Sequence, residues 1–130
     1  MQLHLANIFA VALGGAIGSL SRYAIALAAA RLTSSDFPFG TLTANLGGCL
    51  LIGICWSCFD KIHISHEFRL FLFTGVFGGF TTFSTYARES VQFFKMGDIL
   101  HGFSYILLSN ILGLAVVAAG FYLGERVLRF

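Results

Sequence analysis

The chain reads as an all-α membrane protein with four transmembrane helices, and three features predict it. Of 130 residues, 57% are hydrophobic and 11% charged, against roughly 45–50% and 25% in soluble domains. Four apolar runs are each long enough to cross a bilayer, which takes about 20 residues at 1.5 Å rise per residue. The separators between them are short and polar, and no stretch has the composition of a linker or a disordered tail. Residues 1–130 are therefore expected to form a single four-helix transmembrane domain whose spans run up, down, up and down.

The first span covers about residues 5–30. Met1 to Phe9 has no Lys or Arg, so the basic region of a cleavable signal peptide is missing and this run is expected to stay in the mature protein. Gly14 and Gly18 share one helix face with Arg22, at the spacing that lets membrane helices approach closely. Arg22 lies near a membrane boundary. Either its stem snorkels to the headgroups, or its charge faces a vestibule and concentrates anions at the mouth. The second span, about 41–59, holds Asn45 and the pair Gly47-Gly48.

The third span, about 68–94, differs from the others. Its centre runs from Gly75 through Gly78-Gly79-Phe80-Thr81-Thr82-Phe83-Ser84-Thr85-Tyr86, crowding glycines and hydroxyls where an apolar helix tolerates them least. The pattern predicts a helix broken at the membrane midplane, where freed backbone lines a wet cavity. The alternative is a straight helix whose Ser and Thr side chains bond the preceding turn. The fourth span, about 99–123, carries Asn110 and continues along one face through Gly113, Gly120 and Gly124.

A net charge of +2, from eight scattered Lys and Arg, gives no basic stripe, so nucleic acid is not an expected partner. Membrane lipid is. Sorting the basic residues by side puts Lys61, Arg69, Arg126 and Arg129 against Arg22, Arg31, Arg88 and Lys95, four against four. Cytoplasmic loops normally carry the excess. Either one side wins through finer detail, or the chain inserts both ways and pairs as an antiparallel dimer.

The polar groups inside the apolar mass are the candidates for chemistry. Asn45 and Asn110 must find partners, as glue between helices or along a water-filled path. With Thr81, Thr82, Ser84 and Thr85 they make a lining that donates hydrogen bonds without formal charge, which suits a small anion that must bind and then leave. Glu89 either pairs across helices or bonds a broken backbone. Cys55 and Cys58 have dithiol spacing, but they lie near the C-terminal end of a span, where the helix dipole opposes a thiolate. Buried packing is the reading adopted for them. His63, His66 and Glu67 in one short loop make no closed metal site.

Three segments together, Gly14 to Tyr23, Gly40 to Gly48, and Gly78 to Tyr86 followed by Glu89, resemble the Fluc (also called CrcB) fluoride channels over the whole chain. The resemblance implies an antiparallel, dual-topology homodimer in the bacterial inner membrane, with two narrow pores that passively export fluoride and no enzymatic step. It implies a structural sodium ion at the dimer centre, held by the backbone carbonyls of Gly78 and Thr81. The family's two pore phenylalanines match Phe83 and Tyr86, the polar track matches Ser84 and Thr85, the pore asparagine matches Asn45, and the basic vestibule residue matches Arg22. Tyr86 departs from the family pattern, where a phenylalanine is usual, and adds a hydroxyl beside the pathway. Asn110 falls where members vary and is expected to face the pore or its partner helix. A proton-coupled exporter of the small multidrug resistance kind shares four spans and antiparallel pairing. It depends on an acidic residue in its first helix, and residues 5–30 contain none.

Overall fold

The computed structural model describes residues 3–129, and in it the chain is helical. Helix α1 is Leu5–Leu32, α2 is Phe39–Phe59, and the last helix, α5, is Ile99–Val127. These three are long and apolar enough to cross a membrane. Between α2 and α5 the chain forms two shorter helices, α3 over residues 66–80 and α4 over Phe83–Lys95. Within α3, Leu70–Phe77 is wound as a π-helix. Its bonds reach one residue further than in an α-helix.

Local chemistry sets most of these ends. Helix α2 begins at Phe39, directly after Pro38, whose fixed φ and missing N–H suit the start of a helix. The Ser65 hydroxyl accepts the Phe68 N–H at 3.1 Å and opens α3. The Thr82 hydroxyl accepts the Thr85 N–H at 3.2 Å and opens α4. The turn into α5 needs Gly97, with φ of 79°, because side chains disfavour that left-handed region. Asp98 then caps α5, taking the His101 N–H at 3.3 Å and its ring nitrogen at 2.9 Å. The hydrogen bond from the His101 side chain holds the Asp98 carboxyl below its ordinary range.

Helix α1 packs along α3, and α2 packs along α5. Both pairs meet through glycine. A β-carbon added to Gly14 would strike the Phe71 carbonyl, and one on Gly75 would lie 2.8 Å from the Gly14 α-carbon. Across the other seam, added carbons on Gly53 and Gly120 would come within 2.5 Å of the Val117 oxygen and 2.6 Å of the Leu50 oxygen. The obstacles are backbone, which cannot swing aside. Gly75→Ala is therefore expected to destabilise the fold by about 1–3 kcal/mol, read as a lowered unfolding midpoint in detergent. Gly15→Ala is its control, since nothing lies within 4 Å of the added carbon.

Few apolar side chains are buried among the described residues; Ala44, Phe77, Phe93 and Tyr105 are. Leu100, Phe103, Leu107, Ile111 and Leu114 of α5 face outward. Outward apolar faces are what a membrane bundle presents, because hydrocarbon does not drive such side chains inward.

Candidate functional site

The site is built around two residues. Helix α3 ends at Phe80, and α4 begins at Phe83. Thr81 (φ −94°, ψ 156°) and Thr82 (φ −149°, ψ 109°) between them are extended. Glycines at 78 and 79 weaken the end of α3, and the branched threonines favour extended backbone.

An interruption frees polar backbone groups that must be satisfied away from water. Asn45 of α2 satisfies two. Its Oδ1 accepts the Thr82 N–H at 2.7 Å, and its Nδ2 donates to the Thr82 carbonyl at 3.2 Å, so the amide pairs with Thr82 as a neighbouring strand would. Thr81 Oγ1 donates to the Phe77 carbonyl at 2.9 Å. Arg22 Nε donates to the Gly79 carbonyl at 3.0 Å, placing a cation at the negative end of α3. That contact is a use of Arg22 beyond headgroups or a vestibule. Arg22→Ala is expected to cost about 1.5–3 kcal/mol, the worth of a hydrogen bond from a charged group, measured by thermal unfolding in detergent.

Beside the break lies a cavity of about 380 Å³. Asn45, Gly78, Thr81, Phe83, Tyr86 and Asn110 all line it, and none of its lining residues is charged. Asn110 Nδ2 donates to the Tyr86 hydroxyl oxygen at 2.9 Å and to the Ile106 carbonyl at 2.8 Å. The Tyr86 ring lies between Phe83 and Tyr105, with centroids 5.6 and 5.3 Å away. Phe83 itself is 79% exposed.

The remaining predicted residues lie elsewhere. Arg22 and Thr85 line a separate hollow with Ser19, Thr41 and Thr82. Ser84 is exposed and lines neither space. Glu89 accepts the Thr41 hydroxyl at 2.7 Å, a bond between α2 and α4. Cys58 makes a long contact with the Gly124 carbonyl at 3.7 Å, away from the cavity, whereas Cys49 lines it. Sequence reasoning did not single out Thr82 as the hinge of the site, although the spacing of Thr82 and Thr85 is that of a helix cap. Nor did it single out Ser109, which also lines the cavity. No group of three His, Cys, Asp or Glu suited to a metal occurs among the described residues.

Span-length apolar helices around an interrupted helix, with uncharged hydrogen-bonding groups gathered beside the interruption, define a multi-pass membrane protein with a polar recess in its apolar body. The chain belongs to the CrcB family: residues 9–121 match the family model described as CrcB-like protein, Camphor Resistance (CrcB). It is similar to the protein named fluoride-specific ion channel FluC of Desulfotalea psychrophila, 60% identical over 122 residues and 94% of each chain. It is 41% identical to the FluC of Parabacteroides distasonis over 94% of this chain and 95% of that one. Against the FluC of Salinibacter ruber it is 43% identical over 92% of this chain and 94% of that one.

Proposed function

We propose that the chain is the subunit of a fluoride-selective channel that passively exports fluoride through the bacterial inner membrane. The observation that carries this is the donor character of the uncharged cavity. Asn45 has a second amide hydrogen beyond the one given to Thr82, and no described residue accepts from the Tyr86 or Ser109 hydroxyl. Hydrogen donors without formal charge favour an anion yet let it leave. The positive edges of the Phe83 and Tyr86 rings add to the same preference. Ser84 and Thr85 would continue the path along α4, and Arg22 would draw anions to the mouth of the second hollow.

Two copies pair antiparallel in this reading, giving two pores. The even division of basic residues supports insertion in both orientations, and the cavity has an uncovered side for a second copy, where Phe83 stands exposed. The residues at the break also fit a structural sodium ion. The Thr82 N–H, which in a continuous helix would bond the Gly78 carbonyl, goes to Asn45 instead. Gly78 is exposed, and no hydrogen bond to the Thr81 carbonyl is made among the described residues. Carbonyl oxygens are hard donors suited to such a cation, so Gly78 and Thr81 of both copies would hold it, and its charge would tie the copies together.

The test is efflux from liposomes loaded with potassium fluoride and carrying the purified protein, with valinomycin to move potassium. A fluoride electrode is expected to record rapid release, while chloride-loaded vesicles retain their anion. Intact vesicles with verified folded protein and no fluoride release would overturn the proposal.

A further inference from the structure

Resting on the channel reading, we infer that Tyr86 and Asn110 work as one unit, in which Asn110 fixes the phenol so that its hydroxyl hydrogen faces the cavity as a donor to the anion. Tyr86 is then a residue that touches the permeating anion, and Asn110 is its positioning residue.

The Ile106 carbonyl fixes the polarity of the pair. A carbonyl only accepts, so the amide group 2.8 Å from it must be the Asn110 nitrogen. The same nitrogen lies 2.9 Å from the Tyr86 oxygen, and its second hydrogen goes there. Asn110 therefore donates to the phenol, and a phenol oxygen that accepts in this way keeps its own hydrogen for another partner. No described residue takes that hydrogen, and both side chains line the cavity. Donation from Asn110 also polarises the hydroxyl and strengthens it as a donor.

This matters because a phenol alone is ambiguous. Its lone pairs would repel an anion as readily as its hydrogen would attract one. Asn110 covers a lone pair, and the rings of Phe83 and Tyr105 confine the phenol on either side. The hydroxyl is left with one useful direction. A chain with phenylalanine at position 86 would have no such donor, so the two residues make a pair that neither makes alone.

The experiment is a double-mutant cycle in reconstituted full-length protein, with fluoride efflux read at low fluoride concentration. Tyr86→Phe and Asn110→Ala are each expected to reduce efflux by about three- to tenfold, and the double variant is expected to be no slower than the slower single variant. A purely structural role is separated by ultraviolet resonance Raman. The tyrosine doublet in the difference between wild type and Tyr86→Phe should move towards the donor signature when fluoride is added in detergent. In Asn110→Ala, taken against Asn110→Ala/Tyr86→Phe, that movement should be lost. Wild type that conducts fluoride, with single effects that multiply or with a doublet indifferent to fluoride, would overturn the pair alone. Wild type that conducts none would overturn the channel reading, and this inference with it.

Discussion

Asn45→Ala is expected to be among the most damaging single substitutions in the chain. It removes both partners of the Thr82 backbone at once, leaving an N–H and a carbonyl unpaired inside an apolar bundle. Each unsatisfied buried group costs about 1–3 kcal/mol, so the pair costs about 2–6 kcal/mol, towards the lower end because the adjoining cavity, about 380 Å³ and lined in part by polar groups, is roomy enough for water. The loss should appear as a lower unfolding midpoint in detergent and as faster hydrogen exchange at Thr82. Asn45→Asp separates the fold from the path. Its carboxylate still accepts the Thr82 N–H but cannot donate to the carbonyl, and it sets a negative charge in the cavity. Asn45→Asp is expected to unfold at a higher temperature than Asn45→Ala while passing even less fluoride. An aspartate variant that conducts like the wild type would remove Asn45 from the anion path.

The break is legible in the sequence, whereas the pairing of Asn45 with Thr82 is not. Gly78-Gly79 and, past Phe80, the two threonines mark where regular helix weakens, since each residue acts through its own backbone preference, and α3 does end there. Pro38 marks the start of α2 in the same local way. The partners of the break are a different kind of information. Asn45 lies 37 positions from Thr82, and Arg22 lies 57 from Gly79. Which side chain reaches which backbone group depends on how each helix is rotated about its axis. In soluble proteins an apolar stripe reveals that rotation, but α1, α2 and α5 are apolar on every side and carry no such mark. Glycine spacing supplied part of it, setting Gly14 and Gly18 against α3. The π-helical winding of Leu70–Phe77 left no sign, because the apolar run Leu70 to Phe73 satisfies an α-helix equally well. The pairing of Tyr86 with Asn110 was hidden for the same reason as that of Asn45 with Thr82, although both residues were singled out separately.

Phe83→Ile is expected to stop fluoride passage without unfolding the protein, and the two halves of that expectation rest on different observations. The ring is 79% exposed, so it contributes little to the packing within one chain, and an isoleucine there opens no internal cavity. The unfolding temperature of the chain should stay near that of the wild type. What isoleucine cannot supply is the polarised edge of an aromatic ring. In the proposed channel an anion entering the path would give up part of its water shell, and only neutral donors and ring edges of this site would replace it. Removing one ring edge raises the barrier for the naked ion, and each increment of about 1.4 kcal/mol slows passage tenfold. Efflux should fall more than about tenfold on that scale. Phe83→Tyr keeps the ring and should conduct measurably, which makes it the discriminating variant. If folded Phe83→Ile conducts like the wild type, the ring edge has no part in permeation, and the amide and hydroxyl donors of Asn45, Tyr86 and Ser109 must carry the anion by themselves.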